Sequence, residues 1–332
     1  MRKITVKTIL SLSVALLPAS VAFAAPALEV LGKDYVFPNK IAGLPERLSD
    51  FKDLQINYFK TNDGVRLAYW EAGSGKPLIF IPGASANGAE YINVMYLLSK
   101  NYHVYVLDPR NHGLSQKVSY GMRISRFAMD LRELNAHLGI KSADYCGWSM
   151  GASVLWNYID LFGTSGIDKA VFIDEPISIY AHSDWSKKER LDASAITTSA
   201  EDFVASFTGS APITNPILNQ LIARFKAKDS PYYVNSESFA NEFVNTDYKY
   251  ISLFMFDHIK NDWRDVIRSK IDIPVAIFTG EYSYNVDGQR WMQSVIPNST
   301  LYVYSKEEQG DHFLHFKNPI KFTQDLREFL EK

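Results

Sequence analysis

Asp144-Tyr145-Cys146-Gly147-Trp148-Ser149-Met150-Gly151-Ala152-Ser153-Val154-Leu155-Trp156 is the stretch that decides the reading of this chain. Its first residues have strand character, its last have helical character, and between them stands Gly-x-Ser-x-Gly. A serine at a sharp turn from strand to helix sits in a strained backbone, and side chains on either flank would meet neighbouring main chain. Glycine on both sides is what such a turn needs. The pentapeptide alone is short enough to arise by chance. The strand before it and the helix after it supply the setting the motif requires, and they make Ser149 a candidate nucleophile. Cys146, the only cysteine, falls in the strand half and reads as a small buried hydrophobe rather than a reactive thiol. With one cysteine, no intrachain disulfide forms.

Working outward, strands and helices alternate. Gln55–Lys60 and Val65–Glu71 read as strands joined around the turn Asp63-Gly64. Pro77–Ile81 is a short continuous apolar run, as for a strand covered on both faces. Tyr91–Leu98 reads as helix, His103–Leu107 as strand, and Ile124–Leu138 as an amphipathic helix with Phe127, Leu131, Leu134 and Leu138 on one face. Beyond the elbow come the strand Ala170–Ile173, the strand Pro274–Thr279, the helix Gly288–Val295, the strand Leu301–Tyr304 and the closing helix Pro319–Leu330. Such alternation predicts a mainly parallel sheet with helices on both faces. Residues 177–265 break the rhythm. They read as mostly helical and carry many aromatics, among them Phe203, Phe207, Phe225, Tyr233, Phe239, Phe254 and Phe256. Ligands of such sheets bind at the carboxyl ends of the strands, where this insertion begins, so it reads as a helical cap.

A serine hydroxyl is a weak nucleophile until a base takes its proton. His312 follows the last predicted strand, in Gln309-Gly310-Asp311-His312-Phe313, and comes after the serine in the chain, as expected. His315 is the runner-up, and His112 lies in another loop that could face the same cleft. An oxyanion needs two N–H donors. One is that of Met150, after the nucleophile. The second is expected from Ala84, in the loop Pro82-Gly83-Ala84-Ser85-Ala86-Asn87-Gly88, where Gly83 lets the backbone approach closely.

The ends and the composition bound the rest. Arg2, Lys3 and Lys7, an apolar run from Ile9 to Val21, and Ala22-Phe23-Ala24 make the tripartite pattern of an export signal, with cleavage expected before Ala25. The apolar run is too short to span a bilayer stably. Its loss takes the formal charge from -2 to -5, three basic residues fewer. The mature protein is therefore expected in the periplasm or the medium, with no stable membrane span. Residues 25–54, interrupted by prolines and glycines, read as a surface extension. With 46% hydrophobic and 22% charged residues the chain is globular in composition, and without a basic run nothing marks it for nucleic acid. No metal-ligand spacing or phosphate loop stands out.

Three further stretches resemble the α/β-hydrolase superfamily, and the likeness runs from about residue 55 to 330. Asp108-Pro109-Arg110-Asn111-His112-Gly113-Leu114-Ser115 is similar to its Asp-x-Arg-Gly-x-Gly-x-Ser loop, with Asn111 where glycine is usual. Pro82-Gly83 stands where many members have His-Gly. Asp311-His312-Phe313-Leu314-His315-Phe316-Lys317-Asn318-Pro319 resembles the ending around the family's histidine. The resemblance implies an eight-stranded, mainly parallel sheet and a hydrolase that needs no cofactor. Together with the readings above, the chain divides into a signal (1–24), an extension (25–54), an α/β-hydrolase core (55–176 and 266–332) and a helical cap (177–265). One departure stands out. The family usually carries its acid after the seventh strand as Gly-x-x-Asp, and here that stretch is Gly280-Glu281-Tyr282-Ser283. Some members carry the acid after the sixth strand, and Asp174-Glu175-Pro176 sits at the matching place. Asp174 is the first candidate, with Glu175 and Glu281 as alternatives.

The expectation is thus an exported serine hydrolase, acting through an acyl-enzyme on Ser149 upon a small ester, thioester or lactone of apolar or aromatic character. A serine at this position argues against epoxide hydrolase or dehalogenase chemistry, which in this family uses aspartate there. Perhydrolase or haloperoxidase-like chemistry, cofactor-free oxygen chemistry, and a hydrolase-like protein that binds a ligand without turnover are the alternatives.

Overall fold

In the computed structural model, residues 25–208, 227–244 and 251–332 are described. The expected signal segment and Phe225 lie outside them, as does the side chain of Phe207. A single sheet of nine strands organises the chain: β1 (Ala25–Pro26), β2 (Gln55–Lys60), β3 (Arg66–Ala72), β4 (Lys76–Ile81), β5 (Tyr102–Leu107), β6 (Ala143–Trp148), β7 (Ile167–Ile173), β8 (Val275–Gly280) and β9 (Ser299–Tyr304). Their spatial order is β1-β2-β3-β5-β4-β6-β7-β8-β9. The first three strands are antiparallel to their neighbours, and β5 through β9 run parallel. The count exceeds the expected eight because Ala25 and Pro26 pair with Ile56 and Gln55 at the edge.

Side-chain alternation along the strands explains how the sheet is buried. Ile79, Tyr145, Phe172 and Ile277 enter one core, whereas Leu78, Phe80, Cys146, Val171 and Phe278 enter the other. Period-two alternation with both faces apolar requires a layer on each side. Helices α3 (Ile124–Leu138) and α4 (Met150–Phe162) cover the first face, and α2 (Ile92–Leu98) and the C-terminal α12 (Pro319–Glu331) the second.

Residues 25–54 are not a surface extension, and this corrects the sequence reading. Besides β1 they form the short helix α1 (Ala27–Leu31), and Phe37, Leu48, Phe51 and Leu54 are buried in the second core. These apolar residues are too widely spaced to show periodicity, and what buries them is distant in sequence. Tyr35 and Phe37 pack edge-on or tilted against Phe239 at 5.4 and 5.5 Å between ring centroids.

Between β7 and β8 lie α5 (Lys187–Asp192), α6 (Ala200–Thr208), α7 (Pro231–Phe243), α8 (Ile251–Ile259) and α9 (Arg264–Lys270), and α10 (Val286–Val295) joins β8 to β9. The aromatics of this interval are not all pocket lining. Phe203 and Phe254 complete the first core and Phe239 the second, while Phe256 is half exposed. The loop 108–115 is scaffold. Asp108 accepts from the N–H groups of Gly88 and Leu114 and from Trp70 Nε1, and burial pushes its carboxyl up to about 6 despite them. Buried Arg110 forks onto Asp130 at 2.7 and 2.6 Å. Asn111 holds φ at +67°, the left-handed region that glycine usually occupies and asparagine tolerates.

Candidate active site

The sheet presents the carboxyl ends of β6, β7 and β8 side by side, and the site is assembled there. Ser149, between β6 and α4, has φ +51° and ψ -131°, a conformation that costs on the order of 1–3 kcal/mol. Its surroundings hold it: Ser149 N–H donates to the carbonyl of Ile173 at 2.9 Å, and its own carbonyl accepts from Ala152 at 2.7 Å. The flanking glycines are needed for close approach. A Cβ on Gly147 would lie 2.5 Å from the Gly151 carbonyl oxygen, and one on Gly151 would lie 1.9 Å from that of Ile81.

His312 Nε2 is 3.0 Å from Ser149 Oγ, and its Nδ1 is 2.7 Å from Asp174 Oδ2. Its loop, between β9 and the short helix α11 (Leu314–Lys317), is pinned from two sides. Trp148 Nε1 donates to the His312 carbonyl at 2.8 Å. Neighbouring Asp311 accepts from Lys317 Nζ and from the N–H groups of Phe313 and Ala227, each at 2.8 Å. Burial of the imidazole disfavours its charge, but the hydrogen bond and charge of Asp174, with Glu175 and Asp311 behind it, prevail. The His312 pKa therefore lies above the ordinary histidine value.

Asp174 ends β7, has φ +49° and is wholly buried. Its acceptor sites are filled from β8 and the loop beyond: Thr279 Oγ1 donates to Oδ1, and Ser283 Oγ and Asn285 Nδ2 donate to Oδ2 at 2.7 and 3.3 Å. Ser283, which stands where the family usually has its acid, is thus a donor to a carboxylate on the neighbouring strand. Thr279 and Asn285 belong to the same set and went unnoticed in the sequence. A hydroxyl or amide about a hundred residues away in the chain carries no local signature of a role.

The other candidates lie elsewhere. His315 is wholly buried against Trp148 and Phe316, at 4.8 and 3.9 Å between ring centroids. Neither of its ring nitrogens has a partner among the described residues, and burial drives its pKa well below the usual value. His112 Nδ1 faces the Arg110 carbonyl at 2.9 Å, and burial lowers its pKa to about 4. Glu281 is exposed, with its carboxylate on the Lys306 N–H. Glu175 points instead to Ser153 Oγ, at 2.8 Å. Cys146 is fully buried, and burial holds its thiol far above the usual range, as for an inert residue.

Both expected oxyanion donors lie by the elbow. Met150 is the first residue of α4, so its N–H has no intrahelical acceptor. The loop carrying Ala84 is drawn against the nucleophile: a Cβ on Gly83 would stand 2.9 Å from Ser149 Cβ. The amide of Ala84 has no hydrogen-bond partner among the described residues. Among those residues there is also no cluster of three or more His, Cys, Asp or Glu placed to hold a metal ion, and no helix is long and apolar enough to cross a membrane.

Residues 76–319 match the sequence profile of the family described as alpha/beta hydrolase fold. The chain belongs to that family. The non-heme chloroperoxidase CPO-A1 of Kitasatospora aureofaciens is 26% identical over 283 residues, 82% of this chain and 98% of that one. The non-heme haloperoxidase of Rhodococcus erythropolis is 29% identical over 117 residues, which span 35% of this chain and only 43% of the relative. In structure, an esterase from Exiguobacterium antarcticum superposes with a TM-score of 0.67 at 21% identity, covering 83% of this chain and 99% of the other. This last likeness speaks for the fold.

Proposed function

We propose that this α/β-hydrolase is a serine hydrolase that cleaves a small ester, thioester or lactone through an acyl-enzyme on Ser149. The observation that carries the reading is the unbroken chain from Ser149 Oγ through the two nitrogens of His312 to Asp174. In the reaction, Ser149 Oγ attacks the carbonyl carbon while His312 Nε2 takes its proton. Asp174 fixes the tautomer and stabilises the imidazolium. The N–H groups of Met150 and Ala84 receive the developing oxyanion. His312 returns the proton to the departing alcohol or thiol, then activates water to release the acid. No cofactor enters any step.

Fluorophosphonate labelling and a panel of p-nitrophenyl esters test the reading. Ser149→Ala should lose labelling altogether and about 10⁶ in kcat, as when other triad nucleophiles are removed. Retention of most turnover would refute it. A second reading is favoured by the full-length relative named a chloroperoxidase. In it hydrogen peroxide replaces water in attacking the acyl-enzyme and a peracid leaves. Peracid formation from acetate and hydrogen peroxide, lost in Ser149→Ala, would support this variant of the same chemistry.

The substrate is proposed to be apolar or aromatic, because the rings of Trp148 and Phe313 stand against His312 and Tyr233, from the interval between β7 and β8, packs on Phe313. A groove of about 730 Å³ lies within this interval, bordered by Tyr180, Leu253, Phe256 and Lys260, and its walls include none of Ser149, His312 and Asp174. Export with cleavage before Ala25 remains a proposal from residues 1–24. N-terminal sequencing of the native protein tests it, and an intact Met1 would end it.

A further inference from the structure

Glu175 is a second buried carboxylate at this centre, and the chemistry above does not use it. Its Oε1 accepts from Ser153 Oγ at 2.8 Å and lies 3.2 Å from His258 Nε2. Ser153 is one helical turn beyond Ser149 on α4, and His258 is on α8, in the interval between β7 and β8. The Glu175 carbonyl accepts from Gln289 Nε2 at 2.7 Å. One side chain thus touches the nucleophile's helix and the cap while its backbone continues directly from Asp174. Such a group is costly to bury without partners. Its position therefore calls for a reason that an apolar residue could not supply.

We propose that Glu175 is a positioning carboxylate for the Ser149–His312–Asp174 centre, clasping α4 through Ser153 and α8 through His258 while keeping a second negative charge beside Asp174. Two consequences follow from the geometry. Glu175 directly follows Asp174 in the chain, and a negative charge there favours the imidazolium of His312 in the same sense as Asp174 does. The titratable groups about His312 are Asp174 and Glu175 from the β7 end, Asp311 with its partner Lys317 from its own loop, and His315. His258 faces Glu175 from α8. Its Nδ1 is buried without a partner among the described residues. The clasp, for its part, fixes α8, which supplies Leu253 and Phe256 to the groove described above, so loosening it weakens substrate binding there.

The kinetic arm of the test rests on the serine-hydrolase reading, and the spectroscopic arm does not. Glu175→Gln keeps shape and an acceptor but removes the charge. NMR titration of the His312 ring should give a lower pKa in this variant than in the wild type, with the acid limb of kcat/KM moving the same way. His258→Leu should raise KM on the order of tenfold, the scale of losing one hydrogen bond to a charged group, with kcat little changed. His258→Gln, which restores a donor, should recover most of that loss. An unmoved His312 titration in folded Glu175→Gln overturns the charge role, and equal KM in His258→Leu and His258→Gln overturns the clasp. If Glu175→Gln fails to fold, Glu175→Met takes its place in the titration, and the two His258 variants stand regardless. Absence of both labelling and turnover in the wild type would sink the hydrolase reading, while the NMR comparison would still decide the charge of Glu175.

Discussion

Asp174→Asn, alone and together with Ser283→Asp, probes how this centre places its acid. The native carboxylate accepts from Thr279 on one oxygen and from Ser283, Asn285 and His312 on the other. An asparagine fits the same space. Its NH₂ can face Thr279, whose hydroxyl turns to accept, leaving its oxygen toward His312. The shape then survives and what is lost is the charge that fixes the tautomer and sustains the imidazolium. Loss of the aspartate in other triads costs about 10⁴ in kcat, or about 5.4 kcal/mol at 1.36 per decade. The melting temperature should change little. Ser283 Oγ lies 2.7 Å from Asp174 Oδ2, which is itself 2.7 Å from His312 Nδ1. A carboxylate at residue 283 reaches one bond further than the hydroxyl and arrives at the imidazole from β8. The double variant Asp174→Asn/Ser283→Asp should therefore regain at least tenfold of the lost kcat/KM on p-nitrophenyl acetate. Ser283→Asp alone should be unstable, since two buried carboxylates in contact cannot both ionise. Near-normal turnover in Asp174→Asn would refute the assignment of the acid. A double variant no better than the single one would refute the argument from geometry.

Three shorter predictions follow. Because the His312 pKa is raised and the base must be neutral, the acid limb of kcat/KM should have its midpoint above the ordinary histidine value of about 6.5; in Asp174→Asn it should move down, and a midpoint at or below 6.5 in the wild type would contradict the ion pair. Gly83→Ala should cost about a hundredfold in kcat/KM, since its Cβ would meet Ser149 Cβ at 2.9 Å and a misplacement of 1 Å near the reacting atoms has that effect; an active, labelled variant would show that this loop has room to give. His315→Phe, placed among the rings of Trp148, Tyr91 and Phe316, should keep turnover within a few-fold, and a collapse comparable with that of His312→Ala would mean that the wrong histidine has been assigned.

What the sequence made legible is what it stores locally. The strand Gln55–Lys60 and the helix Ile124–Leu138 occur with the boundaries their patterns predict, and the elbow is five contiguous residues whose turn geometry is set by their own glycines. Residues 25–54 failed the same approach for a physical reason. Leu48, Phe51 and Leu54 are buried in the second core, Phe51 edge-on to Tyr96 of α2 at 5.1 Å, so nothing in their spacing reports it. The aromatics between β7 and β8 misled differently, because an aromatic that completes the core beneath a cap and one that lines a cleft look alike in sequence.

The acid shows where local reading gives out. Asp174, Glu175 and Glu281 are all carboxylates at strand ends, and composition cannot rank them. Their environments differ because β7 and β8 end side by side: Asp174 N–H bonds to the Phe278 carbonyl at 2.9 Å, which sets Thr279, Ser283 and Asn285 around its carboxylate. Seen from the sequence, Ser283 is a missing acid. In the structure it is one of the donors that make a buried carboxylate tolerable one strand over, since a charge is stable in such a place only when its lone pairs are satisfied. The serine and the relocated aspartate thus form one feature: Ser283 Oγ accepts from the Asn285 N–H and donates its own hydrogen to Asp174. Moving the acid to the end of β7 also brings Glu175 beside it, next to α4 and within reach of His258.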